Sequence, residues 1–473
     1  MSEQLSIRIG DSKVQTPQSM TVVSPYDGHE FAKVPRCGPE HVEMAVAEAK
    51  RCLATALPAW KRAEILDSAA LAMQKHRERL AQTIASEAAK PIRTARGEAE
   101  RAVLTFQAAA VEARTLAGEM IPIEGASPGE GKLAFTMRVP RGVVGAISPF
   151  NFPLNLVVHK VAPAIAAGCP VVLKPASQTP ISAIFLQEIL MDECGLPPGW
   201  FNIVTGPGAS VGDPLVDHPD VAVITFTGSP EVGWAIASRA ATKKVGLELG
   251  NNAPVIIDAS GDWRTASAKI ALAGFSHAGQ SCISTQRIYV HSSVAEEFST
   301  DLVQRVNSLV VGDPMDENTD VSALISTSEA ARVKSWVDDA QNAGAKLLAG
   351  GELVDGVMMP TVLSQVTPEM EVCHSEIFGP VVGIAEFNSL DEAISLANDT
   401  RYGLQAAIFT ADLSHAMRAA NELDFGGVLI NEVPTFRSDP MPYGGIRDSG
   451  NTKEGPHFAV QEMTRERLVI IQM

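Results

Sequence analysis

The chain has 473 residues, 45% of them hydrophobic, and 55 acidic against 38 basic side chains give it a formal charge of −17. That length fits two or three domains of roughly 100–200 residues. The acidic balance argues against nucleic acid or an anionic membrane as the main partner, so any anionic ligand must be held locally, by a few basic side chains or by helix N-termini.

The opening stretch, MSEQLSIRIGDSKVQTP, has neither a basic n-region nor an apolar h-region, so no secretory signal is expected. No apolar run approaches the roughly 18 residues of a membrane span. The six cysteines (Cys37, Cys52, Cys169, Cys194, Cys282 and Cys373) are scattered without a C-x-x-C pair. Neither a disulfide framework nor a metal site is expected, and a reduced, cytoplasmic setting is.

Residues 40–118 read as helical: EHVEMAVAEAKRCLATAL and PIRTARGEAERAVLTFQAAAVEARTLAGE place apolar residues three and four apart. The loop GASPGEGK, between MIPI and LAFTMRVP, predicts a β-hairpin or arm. From about 140 to 258 six apolar runs (GVVGAIS, PVVLKPA, FNIVTG, VAVITFTG, KVGLELG, APVIID) alternate with helical stretches. Strands apolar throughout and separated by helices predict a parallel, doubly wound α/β sheet of the Rossmann type. A second alternation from about 260, with QRIYVHS, PVVGIAEF and GLQAAIFT between helices, predicts a second α/β domain. The terminal ERLVIIQM reads as a strand with no helix after it. An open strand edge invites pairing, so a neighbouring subunit is the expected cover and a homo-oligomer the expected assembly.

The chemistry-bearing residues lie at the ends of these runs. Cys282 follows a Gly-Gln-Ser turn. A lone cysteine is more often a small buried hydrophobe, but Gly279 and Ser281 give this one a tight polar approach whose backbone N–H groups can meet an oxyanion. His277 reads as a satisfied helix-end histidine. Glu248, between two leucines in LELGNN, is costly in an apolar strand end unless paired or useful as a base. Asn151, stiffened by Pro149 and Pro153 in SPFNFPLNL, either closes its own turn or offers an amide donor. Gly228, Ser229 and Gly233 in FTGSPEVG form a strand–helix turn suited to a phosphate. Lys174 ends VVLK, where ligands of open α/β sheets collect.

Together, SPFNFPLNL, VVLKPAS, FTGSPEVG, LELGNNAP, GQSC, EIFGPV and MPYGGIRDSG, in that order, resemble the aldehyde dehydrogenase superfamily over nearly the whole chain. The spacing from Glu248 to Cys282 is also similar. The resemblance implies that Cys282 adds to the aldehyde carbon, that Asn151 and the Cys282 N–H hold the oxyanion, and that Glu248 activates water after hydride has passed to a nicotinamide. It implies that Lys174 bonds the adenosine ribose, that Gly228, Ser229 and Gly233 approach the pyrophosphate, and that Glu376 and Phe378 seat the nicotinamide end. Ser177 stands where many NAD-preferring members carry glutamate, so NADP is expected to be accepted alongside NAD.

The loop NEVPTFRSDPMPYGG is similar to that of lactaldehyde, non-phosphorylating glyceraldehyde-3-phosphate and succinate-semialdehyde dehydrogenase-like members. Arg101, Phe152, His159 and Arg437 are the residues read as holding a small polar or acidic aldehyde. Phosphate-binding relatives often carry arginine just before the cysteine; here that position is Ser281. The resemblance further implies a cofactor domain (1–118 and 141–250), a catalytic domain (251–445), and an oligomerisation arm (119–140 and 446–473) of a homodimer or homotetramer. A CoA-acylating member, a non-catalytic relative and a cofactor-free thiol hydrolase are the alternatives. Glu248 argues against the first, and the full set of Cys282, Glu248, Asn151 and Lys174 against the second.

Overall fold

The computed structural model describes residues 3–473. Five short strands open them: β1 (Glu3–Gln4), β2 (Ile7–Ile9), β3 (Ser12–Val14), β4 (Ser19–Val23) and β5 (Glu30–Pro35). The sequence reading passed over these strands, since most are too short for alternation to register. Helices α1 (Pro39–Ala54), α2 (Ala59–Lys75), α3 (Arg77–Ala88) and α4 (Ile92–Thr115) follow. Ala63, Leu66, Ala70 and Met73 of α2 are buried, as are Ala95, Ala99, Ala102 and Phe106 of α4. Their three- and four-residue spacing puts each set on one face, and the small alanines let the two helices pack closely. The expected hairpin forms from β6 (Met120–Ile121) and β7 (Lys132–Pro140).

The first sheet holds β8 (Val143–Ile147), β9 (Val171–Lys174), β10 (Phe201–Ile203), β11 (Val221–Thr227) and β12 (Lys244–Glu248), in the order β10-β9-β8-β11-β12. All neighbours are parallel. Helices α5 (Asn155–Ala167), α6 (Ile181–Glu188), α7 (Asp213–Asp217) and α8 (Pro230–Arg239) lie between the strands in sequence. The order turns about β8, which opens a crevice at the carboxyl ends of β8 and β11.

The sixth run, expected to continue this alternation, belongs elsewhere: β13 (Pro254–Ile257) pairs with β14 (Arg287–His291) and β20 (Gln405–Phe409). Only five residues separate β12 from β13. A parallel return to the same sheet needs a crossover of about a dozen or more, so the chain must leave for a second sheet. That sheet adds β15 (Lys346–Ala349), β18 (Thr361–Ser364), β19 (Val381–Phe387) and β21 (Gly427–Ile430), in the order β15-β18-β19-β14-β13-β20-β21. It is parallel except at the β15 edge, and β16 (Leu353–Val354) and β17 (Val357–Met358) form a small hairpin beside it. Helix α9 (Trp263–Ala273) connects β13 to the turn that carries Cys282.

The last strand, β22 (Thr464–Gln472), is not unpaired within its own chain. It runs antiparallel to β7 from Thr464↔Pro140 to Gln472↔Lys132, a partnership that residues more than 300 positions apart do not reveal in sequence. Its other edge is free, because the order is β22-β7-β6. The arm is also shorter than expected. The helix Pro456–Met463 packs on α4 and α5, so residues 446–463 belong to the body and the arm's second part begins at Thr464.

One buried ion pair ties the helical layer to the loop that precedes α5. Glu98 Oε1 accepts from the backbone N–H groups of Leu154 (2.9 Å) and Asn155 (3.1 Å), while Glu98 Oε2 accepts from Lys90. Both side chains are fully buried. Burial holds the Lys90 ammonium below its ordinary pKa, opposed by Glu98. Removing the acid strands a buried cation, so we expect Glu98→Ala to cost about 3–5 kcal/mol of unfolding free energy. Urea unfolding followed by circular dichroism measures this, and an unchanged midpoint would contradict it.

Candidate active site

After α9 the backbone enters the left-handed region at three consecutive residues, His277 (φ 50°), Ala278 (φ 53°) and Gly279 (φ 70°). A side chain in that region costs of order 1–3 kcal/mol, so the turn persists only because its surroundings fix it. A Cβ at Gly279 would lie 2.1 Å from the Gly379 carbonyl oxygen. Gln280 holds the turn, accepting from Ile325 N–H (2.9 Å) and donating to the His277 carbonyl (3.2 Å). His277 is not the satisfied histidine expected. It is buried with both ring nitrogens unpartnered, and burial keeps it well below its ordinary pKa, so it packs as a neutral ring edge-on to Phe152.

This turn delivers Cys282, half-buried, between two clefts. The first, about 430 Å³, runs along the strand ends of the first sheet and is lined by Asn151, Lys174, Ser177, Gly228, Ser229, Glu376, Phe378 and Cys282 itself. The second, about 680 Å³, is lined by Ser281 and Ile283, the two neighbours of Cys282, with Arg101, Phe152, Lys269 and Thr435. The thiol turn is therefore the septum between them. Asn151 Nδ2 donates one hydrogen to the Gln280 carbonyl at 2.9 Å, which leaves its second hydrogen free. Among the described residues the Cys282 N–H has no acceptor.

Glu248 ends β12 with only 3% of its surface exposed, and neither carboxylate oxygen has a hydrogen-bond partner among the described residues. Burial, then the like charge of Glu454, push its pKa well above the ordinary range. Space for it depends on a glycine: a Cβ at Gly444 would stand 2.9 Å from Glu248 Oε1. Glu454 behaves oppositely. Burial opposes its ionisation, but Arg437, Lys160 and His159 outweigh that and hold it down at about 2. Arg437 donates to Glu454 Oε2 at 2.8 Å, and Lys160 stands 3.6 Å from Oε1 while donating to Thr227 Oγ1 at 2.7 Å. One buried carboxylate is thus held towards its ionised form and the other pushed towards its protonated form, a division that environment alone can impose.

The basic residues read as substrate ligands are placed differently. Arg101 lines the second cleft and donates to Asp439 at 2.8 and 3.2 Å. His159 lines neither cleft. It is buried on α5 with Nε2 2.8 Å from Asp439 Oδ1, and burial, then Arg437, keep it below its ordinary pKa. Arg437 is buried too and is committed to Glu454. Neither lines the second cleft, and each is paired with a carboxylate, His159 with Asp439 and Arg437 with Glu454. Gly233 is likewise not on the cleft wall. A Cβ there would lie 2.4 Å from Leu249 Cδ2, so its smallness serves helix-to-strand packing, and Val232 is the wall residue. Lys160, Glu454 and Tyr443 were not singled out from the sequence. Only Lys160 carried a signal there, as a lone charge on a wholly apolar helix.

The aldehyde dehydrogenase family profile matches residues 12–469. The chain belongs to the aldehyde dehydrogenase family. It is 46% identical to the 3-sulfolactaldehyde dehydrogenase of Priestia megaterium over 458 residues, 97% of this chain and 96% of that one. It is 40% identical to the lactaldehyde dehydrogenase of Methanocaldococcus jannaschii over 466 residues, covering 98% and 99%. Among solved structures, the glyceraldehyde-3-phosphate dehydrogenase of Methanocaldococcus jannaschii complexed with NADP superposes with a TM-score of 0.93 at 39% identity, covering 97% of this chain and all of that one. An aldehyde dehydrogenase of Physcomitrella patens in complex with the reaction product succinate gives 0.96 at 38%, covering 100% and 99%. This aldehyde dehydrogenase is NAD(P)-dependent, as its family is. Among the described residues no helix is long and apolar enough to cross a membrane.

The first cleft has the donor set a dinucleotide needs. Lys174 Nζ meets only the Pro175 carbonyl (3.1 Å), with its pKa lowered to about 8 by burial, and Ser177 Oγ donates to the Gly206 carbonyl at 3.1 Å. Ser229 caps α8, a ten-residue helix whose N-terminus opens on the cleft. At the far end Glu376, pushed up to about 7 by burial, accepts from Asn251 N–H at 2.9 Å, and Phe378 (φ 48°) meets Phe150 edge-on.

A carboxylate with a raised pKa is a base only above that pKa, and the base form is lost as pH falls through it. In the water-activating role proposed below, Glu248 should make acyl release climb with pH above the ordinary carboxylate range. Glu248→Gln should slow release about 10²–10⁴-fold and flatten the profile. Rapid-quench single-turnover kinetics measures this; a wild-type rate independent of pH between about 6 and 9 would contradict it.

Proposed function

We propose that this aldehyde dehydrogenase oxidises a small polar aldehyde to its carboxylic acid at Cys282, with water as the acyl acceptor and either NADP or NAD as cofactor. One observation carries the reading: the thiol stands in the wall between a cleft with dinucleotide donors and a second, open cleft, with the unpaired carboxyl of Glu248 buried nearby. The sulfur lone pair forms the C–S bond while the carbonyl π pair moves to oxygen. The second Asn151 amide hydrogen and the Cys282 N–H receive that oxyanion. Bound NADP or NAD supplies the hydride acceptor. Glu248 then takes a proton from water, whose oxygen attacks the thioester, and the C–S bond breaks to release thiolate and acid. A buried base in place favours water over CoA.

The second cleft favours a compact head group. Its cations are already partly neutralised, Arg101 by Asp439 and Lys269 by Glu432 at 2.7 Å, and Ser281 adds no charge. Phe152, Leu104, Ile283 and Val433 make the rest of the wall largely apolar. Such a wall suits a three-carbon 2-hydroxyaldehyde with a neutral or singly charged end, such as lactaldehyde or 3-sulfolactaldehyde, better than a phosphate dianion. On the cofactor side, no carboxylate lines the adenosine end near Lys174 and Ser177 to repel a 2′-phosphate. We expect kcat/KM to rank lactaldehyde or 3-sulfolactaldehyde above glyceraldehyde 3-phosphate and succinate semialdehyde, with NADP accepted. Arg101→Ala should raise KM for 3-sulfolactaldehyde roughly tenfold, the worth of one charge-assisted hydrogen bond, and leave lactaldehyde within about twofold. A preference for glyceraldehyde 3-phosphate, or strict rejection of NADP, would contradict the assignment.

The free edge of β22 carries exposed Leu468 (55%) and Ile470 (49%), a strand that a second copy of the chain would cover. A homodimer or homotetramer built through this arm is the proposed assembly. The double substitution Leu468→Glu, Ile470→Glu should give a smaller species in sedimentation velocity; a wild-type monomer would overturn the proposal.

A further inference from the structure

Tyr443, which does not line the first cleft, places its hydroxyl oxygen 2.9 Å from Cys282 Sγ. The ring is 3% exposed and packs with Ile283, Leu404 and Met441. Among the described residues the sulfur is the only hydrogen-bond partner of that hydroxyl. Burying a hydroxyl against nothing but a thiol is poor economy for a resting protein, because a thiol is a weak acceptor. A thiolate is a strong one. The phenol is also held firmly. Its backbone exchanges hydrogen bonds with Glu454 (3.1 and 2.6 Å), and the Arg437 guanidinium lies 3.9 Å from the ring centroid while bonded to that same glutamate.

Resting on the assignment of Cys282 as nucleophile, we infer that Tyr443 is a further catalytic residue: its phenol O–H donates to the Cys282 thiolate and stabilises it before attack. Arg437 is the positioning residue that clamps the ring. The thiol proton leaves through the open cleft to solvent, the phenol keeps its own proton throughout, and the sulfur lone pair so exposed makes the C–S bond. The need for such a donor is visible in the surroundings. Burial pushes the Cys282 thiol up to about 12, Glu376 and Glu248 press in the same direction, and only the Tyr443 hydrogen bond and the Arg437 charge oppose them. Burial also keeps the phenol well above its ordinary pKa, so it remains a donor.

The test is the pH dependence of iodoacetamide alkylation at Cys282 in the full-length protein, read by peptide mass spectrometry so that the other five cysteines are separated. Tyr443→Phe keeps the ring and loses the donor. The alkylation midpoint should rise by about one pH unit, and kcat/KM at neutral pH should fall about tenfold and recover as pH rises. Because that variant buries no new polar group, coincident profiles in a folded protein would overturn the inference. Should Tyr443→Phe fail to fold, 3-fluorotyrosine at position 443 preserves the packing and, as a stronger donor, should lower the midpoint; an unmoved midpoint there overturns the inference as well. Cys282→Ser distinguishes the two layers. A Cys282→Ser variant that still reduces cofactor removes the nucleophile assignment itself, whereas a silent Cys282→Ser with coincident Tyr443→Phe profiles removes only the role of the tyrosine.

Discussion

The proposed chemistry needs one sulfur reachable from both a cofactor cleft and a substrate cleft, and in this chain the backbone provides that position. His277, Ala278 and Gly279 turn left-handed in succession, against the ordinary preference of two of them. The turn is affordable because the chain around it is rigid: Gly379 leaves no room for a side chain at 279, Ile325 and His277 fix the Gln280 amide, and Asn151 donates to the Gln280 carbonyl. Asn151 in turn sits in a loop that runs into α5, whose first N–H groups are anchored on Glu98. The Asn151 amide, the proposed oxyanion donor, and the thiol are thus positioned by one connected set of contacts spanning both sheets.

Burial then divides the labour among groups that would be alike in water. Glu454, ringed by Arg437, Lys160 and His159, stays ionised, while Glu248 beside it is pushed towards its protonated form. Two adjacent carboxylates with separated pKa values give the site a fixed negative charge and a titratable one. The cation cluster that first looks like a substrate-binding set is largely spent on this separation. What faces the open cleft is two partly neutralised cations, Arg101 and Lys269, with the acidic Glu100, and this modest field underlies the proposed preference for a compact polar aldehyde over a dianion.

Much of the fold was legible because parallel strands buried on both faces are written as near-continuous apolar runs, as in β8 and β9. What alternation cannot say is which sheet a strand joins, and β13 shows the limit: the absence of a crossover before it was the available sign. The pairing of β22 with β7, and the extent of the arm, depend on contacts across most of the chain. The same distance explains the site. Cys282, Glu248 and Asn151 each sit in a short distinctive motif, whereas the claims of Asp439 on Arg101 and His159, and the meeting of Tyr443 with Cys282, exist only after folding. The close approach of Gly233 to Leu249 is likewise a contact that exists only after folding.

The central claim is that Cys282 becomes covalently acylated during turnover and that Glu248 is needed to clear it. Intact-mass and peptide mass spectrometry of the Glu248→Gln protein, quenched in acid during reaction with lactaldehyde and NADP, measures this most directly. A single added acyl group is expected, the mass of the acid less water, confined to the peptide containing Cys282 and absent when cofactor is omitted. Turnover with no adduct, or an adduct on any other residue, would contradict it.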